Sequence, residues 1–120
     1  MPVDPTGQDL ARLLDEDADG PFVMLNLLKF HDGGRDGYEA YGRQARTFLQ
    51  RYGAEVIYAG DCSTVLVAPD THTWDAILLV RYPSRRAFSE MVADPDYHTI
   101  TGLRSAALAD AVLQATIPWS

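Results

Sequence analysis

Asn26 raises the first chemical question of the sequence, because it stands inside the apolar stretch PFVMLNLLKF, Pro21 to Phe30. A side-chain amide that is buried without a hydrogen-bond partner costs about 1–3 kcal/mol, so Asn26 is expected to be hydrogen-bonded. Its partner is either a neighbouring protein group or water, or else the polar group of a ligand in a cleft. In the second case Asn26 would orient a carbonyl or a phenolate.

Several aromatic residues fit the same cleft. Tyr38 and Tyr41 belong to one apolar stripe of a predicted helix, and Tyr82 lies near the end of the apolar run WDAILLVRYP, which Trp74 begins. Tyrosines at core spacing usually pack in a core, but their hydroxyls need partners when they are buried. Aromatic walls with a few convergent donors are also typical of small-molecule pockets. Asn26, Tyr41 and Tyr38 are therefore candidate catalytic residues, and Asn26, Tyr82 and Trp74 are candidate ligand-binding residues.

Two further candidates stand nearer the C-terminus. Tyr97 and Arg104 are seven residues apart in sequence, a spacing that places them on one face of a helix. Arg104 could bind a carboxylate or could hold neighbouring helices together, and the sequence leaves both roles open. We include both residues among the candidate ligand-binding residues.

Composition argues against several classes of partner. Ten basic and seventeen acidic residues give a net charge of −7, whereas nucleic acid binding needs clustered Lys and Arg. The start MPVDPTGQDL lacks the basic and apolar blocks of a signal peptide. The longest central apolar run, Ala76 to Val80, is far shorter than the ~20 residues of a membrane span. Cys62 is the single cysteine and can form no internal disulfide, so we expect a soluble, cytoplasmic protein.

The sequence shows no motif for a metal or a cofactor. His31, His72 and His98 lie on three separate predicted elements, without the close spacing of zinc motifs. The glycines of the loop HDGGRDG fit no nucleotide motif, and its aspartates would repel a phosphate. We therefore predict no metal site and no cofactor.

The elements that must position these residues follow from periodicity and capping. A short helix is predicted after Thr6, a turn at residues 15–20, and a strand from about Phe22 to Phe30. A helix containing Tyr38 and Tyr41 ends at Gly53. Two strands are predicted next, at residues 54–69 with a bulge at Gly60–Asp61 and at residues 74–83, joined by a turn into an antiparallel hairpin.

The last third of the chain is predicted to be mostly helical. A helix capped by Ser84 is broken at Asp94, where a new helix starts with Pro95 and runs to about Ala109. A final strand covers AVLQATI. The order β-α-β-β-α-β is ferredoxin-like, so we predict one α+β domain over residues 1–120 with an antiparallel sheet and helices on one face. Residues 1–20 would form an extra N-terminal helix and turn, and residues 111–120 the last strand and tail.

The predicted sheet is apolar on both faces. In the first strand, four large apolar residues alternate with Val23, Leu25 and Leu27, and the third strand shows a similar alternation. The helices of one chain can cover only one face, and exposing the other would forfeit several kcal/mol at ~25 cal/mol per Å². We therefore predict a homodimer in which the same sheet face of two copies packs together.

Five segments read together resemble a known family: DGPFVMLNLLKF, YEAYGRQA, WDAILLVRYPSRRAF, MVADPDYH and the ending from Arg104 to Gln114. The resemblance, from about Asp4 to Thr116, is to the domain of unknown function 1330, a family of the dimeric α+β barrel superfamily. It implies the ferredoxin-like fold, the dimer and a pocket between sheet and helices. Relatives in the superfamily include cofactor-independent aromatic oxygenases, haem-degrading monooxygenases, lactone isomerases and stress-response dimers, and the fold does not choose between them.

The haem-degrading relatives can be compared residue by residue. They use an Asn in the first strand, a Trp at the end of the third strand and an axial His on the second helix. Asn26 matches, but Tyr82 falls at the Trp position and Thr101 at the His position, with His98 one helical turn too early. This argues against haem ligation and leaves Thr101 as a candidate ligand-binding residue.

Three functional hypotheses result. The leading one is a cofactor-independent enzyme that oxygenates or isomerises a small organic, for example aromatic, substrate. The first alternative is a non-catalytic binding or carrier dimer with a small organic ligand in the same cleft. The second alternative is a structural or interaction dimer whose polar core residues satisfy one another.

Overall fold

A computed structural model describes residues 3–17 and 19–119 of the chain. Its elements follow in the order α1 (Gly7–Glu16), β1 (Phe22–Phe30), α2 (Gly34–Arg51), β2 (Glu55–Asp61), β3 (Ala76–Tyr82), α3 (Arg85–Ala93), α4 (Pro95–His98), α5 (Thr101–Ala107) and β4 (Leu108–Thr116). None of the helices in these residues has the length and apolar character needed to cross a membrane.

The strands form one antiparallel sheet in the order β2-β3-β1-β4. With helices between β1 and β2 and between β3 and β4, this is the ferredoxin-like α+β fold that the sequence predicts. β1 is a central strand, and Asn26 pairs with Leu78 of β3 on one side and with Leu113 of β4 on the other. Asn26 therefore lies at the middle of the sheet.

The two faces of the sheet differ in burial. The inner face of β1 carries four buried residues, Phe22, Met24, Asn26 and Leu28. The helices cover this face, and Phe48 of α2 and Phe88 and Met91 of α3 share its hydrophobic core. The outer face carries Val23, Leu25 and Leu27, which are only half-buried. Helices on one face agree with the sequence prediction.

Side-chain caps set three of the helix starts, as the sequence predicts. Thr6 Oγ1 accepts from the Asp9 backbone N–H at 3.1 Å, and the Asp9 carboxylate accepts from the Thr6 N–H at 2.9 Å, forming a capping box before α1. Ser84 caps α3, and Asp94 caps α4 with Pro95 at its first turn.

β2 is shorter and less regular than predicted. The strand ends at Asp61 instead of continuing to residue 69, and its register irregularity lies between Val56 and Tyr58, so the predicted bulge at Gly60–Asp61 is wrong. Gly60 is small for another reason: a Cβ there would lie 2.6 Å from the Tyr58 hydroxyl oxygen, because the Tyr58 side chain passes over it.

The connection between β2 and β3 is long. The two strands are antiparallel neighbours, as predicted, but residues 62–75 contain no strand and β3 begins at Ala76. The second half of the predicted strand therefore lies in a loop, where Leu66 and Val67 are 90% and 95% exposed. The apolar run at residues 65–68 did not make this segment a strand, because β3 starts too late to pair with it.

The helical region after β3 is divided twice. The break at Asp94 was predicted, but a second break at Thr99 and Ile100 separates α4 from α5. The Thr99 hydroxyl donates to the Asp96 carbonyl at 2.6 Å, a local bond that competes with helix continuation. α5 ends at Ala107 instead of about Ala109, because β4 begins at Leu108, three residues before the predicted start of the last strand.

Two glycines position α2 against α5. Gly33 has a φ of 74°, in the left-handed region that glycine adopts without strain. A Cβ at Gly34 would lie 2.3 Å from the Ala107 carbonyl oxygen, so only glycine allows α2 to start this close to the end of α5. The His31 N–H donates to the same carbonyl at 2.9 Å. The loop HDGGRDG thus has a packing function.

Candidate functional site

A cavity of about 300 Å³ lies between the inner face of the sheet and the helices. Asn26, Leu78 and Leu113 of the three strands β1, β3 and β4 line it on the sheet side, and residues of α2 to α5 line it on the helix side. Asp4 and Pro5, which precede α1, also line it. Its walls are mainly apolar, with a small set of hydroxyl, amide and guanidinium groups.

Asn26 is 8% exposed and lines this cavity. Its side-chain Nδ2 donates to the Met24 carbonyl oxygen at 3.3 Å, a long hydrogen bond to the neighbouring residue of its own strand. Within the described residues, its amide oxygen accepts no hydrogen bond. Asn26 therefore agrees in part with both expectations from the sequence. Its amide nitrogen is hydrogen-bonded to the protein backbone, and its side chain also lines a cavity.

Tyr41 and Tyr97 form the central hydroxyl pair of the site. Their phenol oxygens are 2.5 Å apart, and their rings meet edge to face at 6.4 Å. One hydroxyl donates its proton to the other, so the accepting hydroxyl keeps an O–H for a third group. Tyr38 lies beside Tyr41, with ring centroids 5.5 Å apart. Helices α2 and α4 thus bring together residues that are 56 positions apart in the sequence.

Tyr82 forms an aromatic wall. Its ring stacks on Phe22 at 5.4 Å and meets Phe88 edge to face at 5.1 Å, and Tyr82 is 4% exposed. Aromatic contacts on two sides restrict the rotation of this ring. The wall is therefore already in place without a ligand.

The tyrosines of the cavity are protonated at neutral pH. Burial raises the pKa of the Tyr38, Tyr41, Tyr82 and Tyr97 phenols above the usual value of 10. The positive charge of Arg104 acts against that rise in the pKa of all four phenols. These hydroxyls can donate hydrogen bonds to a ligand, but they are poor proton acceptors.

Arg104 of α5 is a buried cation in the wall of the cavity, with its side chain 7% exposed. Its Nη1 donates to the Asp4 carboxylate at 2.9 Å and to the Val3 carbonyl. The other Asp4 carboxylate oxygen accepts from the Ser105 hydroxyl at 2.8 Å. Arg104 and Ser105 therefore fix residues 3–5, the N-terminal strap, against α5.

The structure brings together most of the residues that the sequence singled out. Seven of them line the cavity: Asn26, Tyr38, Tyr41, Tyr82, Tyr97, Thr101 and Arg104. Trp74 does not line it; this residue is half-buried in the loop before β3.

Three polar lining residues were not among the candidates. Asp4 and Ser105 line the cavity through their contacts with Arg104 and with each other, and no local pattern connects positions about 100 residues apart. His98 had been considered only as a metal or haem ligand. Its Nε2 donates to the Val92 carbonyl oxygen at 2.7 Å, which leaves Nδ1 as the unprotonated nitrogen of the neutral ring. The only sequence signal for His98 was its position next to Tyr97.

Metal-ligating side chains do not gather around the cavity. In residues 3–17 and 19–119, no group of three or more His, Cys, Asp or Glu side chains is placed to hold a metal ion.

The chain is similar to one protein family in sequence and to several solved structures in fold. The model of the family described as Domain of unknown function (DUF1330) matches residues 22–115. RPA0582, a protein of unknown function from Rhodopseudomonas palustris, is 32% identical with a TM-score of 0.88, and the match covers 98% of this chain and 97% of that one. No protein of curated function matches the sequence.

More distant structures share the fold alone. SnoaB, a cofactor-independent oxygenase from Streptomyces nogalater, is 11% identical with a TM-score of 0.62, over 84% of this chain and 95% of that one. A dabb family protein with a ferredoxin-like fold from Mesorhizobium loti is 10% identical with a TM-score of 0.56, over 84% and 99% of the two chains.

Proposed function

The chain belongs to the family described as Domain of unknown function (DUF1330), and from this premise we propose that it binds a small, largely apolar organic molecule between its sheet and its helices. The family description gives no activity, so the proposal depends on the geometry of the site. The observation that carries it is the cavity of about 300 Å³, which mostly apolar residues and a few convergent polar groups line. Pockets of this make-up, from roughly 300 Å³ upward, are typical of small-molecule sites.

The polar groups define how such a ligand would be held. An oxygen of the ligand would accept from the spare hydroxyl proton of the Tyr41–Tyr97 pair. A ligand N–H or O–H would donate to the amide oxygen of Asn26. Tyr82 and Leu78 would contact its apolar part. A few neutral hydrogen bonds of this kind orient a ligand, and apolar burial supplies most of the affinity.

Gly42 offers a direct test of ligand binding in this cavity. It lies on α2 and lines the cavity, and a Cβ at this position would meet nothing within 4 Å. Gly42→Leu should therefore fill part of the cavity without a backbone clash. We expect one- and two-ring aromatic alcohols and amides to bind the wild type at up to millimolar concentration in saturation-transfer-difference NMR, and Gly42→Leu to weaken that binding by tenfold or more.

Gly102→Leu is the matched control. Gly102 lies on α5, a Cβ there also meets nothing within 4 Å, and this residue does not line the cavity. Both changes raise helix propensity. Equal binding by the two variants, or no binding of any fragment to the wild type, would contradict the proposed function.

A second candidate function is a proton-transfer reaction in the same cavity, and His98 is the observation that favours it. Nδ1 of the neutral ring can accept a proton from an acidic C–H of a ligand, with the electron pair moving to an adjacent carbonyl oxygen. Tyr41 or Tyr38 and the Asn26 amide would donate to the enolate oxygen that forms. Return of the proton to another carbon would be an isomerisation, and reaction of the carbanion with molecular oxygen would be an oxygenation.

Hydrogen–deuterium exchange tests this second candidate without knowledge of the substrate. We expect the protein to speed deuterium incorporation into 2-tetralone in D₂O, measured by NMR, and His98→Gln to remove that acceleration while binding persists. The same exchange rate with His98→Gln as with the wild type would leave binding as the function.

We further propose that the protein is a homodimer through the outer face of its sheet. The apolar residues of this face lie on three adjacent strands and are half-buried in one chain: Val23, Leu25, Leu27, Ile77, Leu79 and Val112. The partner that fits is a second copy, because each end of the face carries one cation and one anion. Lys29 pairs in register with Asp110 at one end, and Arg81 forms an ion pair with Glu55 at the other. Neither end of the outer face therefore carries a net charge that would repel the same face of a second copy.

A charged side chain introduced into the apolar outer face tests the dimer. We expect native mass spectrometry at micromolar protein to show a dimer for the wild type and a monomer for Leu25→Lys. Leu103→Lys is the control, because Leu103 is a 36% exposed leucine on α5, away from the sheet. A monomeric wild type, or a Leu25→Lys variant that stays dimeric, would be evidence against this interface.

A further inference from the structure

Arg104 has donor capacity that its protein contacts do not use. A guanidinium carries five N–H donors, and the contacts of Arg104 with Asp4 and Val3 both go through Nη1. Nη2 is buried and has no hydrogen-bond partner among the residues that the structure describes. A buried charged donor without an acceptor is unfavourable, and native proteins rarely retain one without a reason.

The protein neutralises Arg104 only in part. Its single counter-ion among residues 3–17 and 19–119 is Asp4, whose side chain is 52% exposed and therefore screened by water, whereas the Arg104 side chain is 7% exposed. Asp4 is also the one acidic residue among the described residues that line the cavity. Asp4 on Nη1 thus leaves the buried Nη2 of this lining residue without an acceptor.

Arg104 and nearby neutral donors can serve an anion together. Burial raises the pKa of the four cavity tyrosines and so disfavours negative charge, and the charge of Arg104 opposes that larger effect. The Tyr41–Tyr97 pair has a hydroxyl proton to donate, and hydrogen bonds to charged acceptors are about twice as strong as neutral ones. Cation and neutral donors together line one largely apolar chamber.

We propose that the ligand of this cavity is an amphipathic organic acid, with its carboxylate on Arg104 Nη2 and its apolar part against the sheet. This inference rests on the proposed small-molecule function and names its ligand class. The carboxylate would supply the missing acceptor of Nη2, and Leu78, Leu113 and Phe88 would contact the hydrocarbon part. Asp4 would remain on Nη1, where its negative charge opposes that of the ligand carboxylate.

Matched pairs of probes separate this inference from the proposed function. The probes are one- and two-ring arylalkyl carboxylic acids, each with the primary amide of the same skeleton, such as 3-phenylpropionic acid and 3-phenylpropionamide. Dissociation constants come from NMR titration at pH 7 and low salt. We expect each acid to bind roughly tenfold or more tightly than its amide, in line with a charge-assisted hydrogen bond.

Two variants assign that preference to Arg104. Arg104→Met keeps an apolar stem but removes the charge, and it should abolish the preference for the acid. Asp4→Asn removes the competing carboxylate while keeping the size of the side chain, and it should tighten acid binding by several-fold with little change for the amide. Circular dichroism confirms that each variant is folded, and Asp4→Asn keeps the test informative if Arg104→Met does not fold.

The outcomes are distinct. Acids and amides that bind equally well to the wild type would overturn this inference and leave the proposed function intact. Asp4→Asn that weakens both probes equally would show that Arg104 only anchors the strap, which also overturns it. Failure of every acid and every amide to bind would overturn the proposed function itself.

Discussion

The hydroxyl pair of Tyr41 and Tyr97 gives the sharpest prediction about the interior of this protein. Tyr41→Phe removes one hydroxyl and leaves the other in a residue that is 7% exposed, and Tyr97→Phe does the reverse. Each single change loses one hydrogen bond and strands a polar atom, so we expect a loss of about 1–2 kcal/mol in the free energy of unfolding. For a domain of this size, that lowers the melting temperature by roughly 4–8 °C.

The double variant Tyr41→Phe/Tyr97→Phe should behave differently. With both hydroxyls gone, no polar atom is stranded, so the loss should be close to that of one single change instead of the sum of two. The coupling energy of the double-mutant cycle should therefore be about 1–2 kcal/mol. Urea unfolding followed by circular dichroism gives the four free energies that the cycle needs.

The control and the refuting result come from the same cycle. Tyr38→Phe, beside the pair, should show little coupling to Tyr97, because these two residues share no hydrogen bond in the described structure. Additive effects of Tyr41→Phe and Tyr97→Phe would refute the reasoning. Such a result would mean that each hydroxyl finds another partner, for example water in the cavity.

Three further predictions concern the stability of the fold. Gly34→Ala should lower the free energy of unfolding by roughly 1–3 kcal/mol, because its Cβ would lie 2.3 Å from a carbonyl oxygen at the end of α5. Gly37→Ala is the control: its Cβ would have its nearest contact at 3.7 Å, so this variant should be neutral or stabilising. Equal urea midpoints for the two variants would contradict this prediction. Burial raises the phenol pKa of the cavity tyrosines in the folded state. Their contribution to the free energy of unfolding is therefore complete below the unfolded pKa of 10 and should be lost as the pH rises beyond it. Urea midpoints that do not change from pH 8 to 11 would count against buried phenols. The hydrogen bond from Tyr52 lowers the pKa of the Asp94 carboxyl below its usual value of 3.8. The Asp94 carboxylate therefore stabilises the protein above that value, and this contribution is lost as the pH falls through the lower pKa of the folded state. The melting temperatures at pH 7 and pH 3 should differ less for Asp94→Asn than for the wild type, and an unchanged difference would exclude this role.

Much of the fold could be predicted because its signals are local. Alternation in β1 separates an inner from an outer face within nine residues, and the caps at Thr6, Ser84 and Asp94 act within one helical turn. Short-range geometry of this kind depends on few residues, so the sequence shows it directly. Tyr97 and Arg104 both line the cavity, but they lie on two helices, α4 and α5, so the single helical face that their seven-residue spacing predicted is wrong.

The incorrect predictions arose where a distant contact decides the local structure. Gly60 suggested a bulge, but its small size accommodates the Tyr58 side chain, and the bulge lies nearer the start of β2. Residues 65–68 are a continuous apolar run, yet residues 62–69 form a loop because β3 begins only at Ala76. A strand needs a partner as well as a pattern, and the pattern does not say where the partner begins.

The sequence by itself determined the order of the elements, the two apolar faces of the sheet and most of the residue types that line the cavity. The tertiary structure decided which of them meet. It joined Tyr41 to Tyr97, placed Asp4 on Arg104 across about 100 residues and left Trp74 outside the cavity. The physical reason is range: propensity and periodicity act over a few residues, whereas a hydrogen bond or an ion pair depends on the relative placement of whole elements.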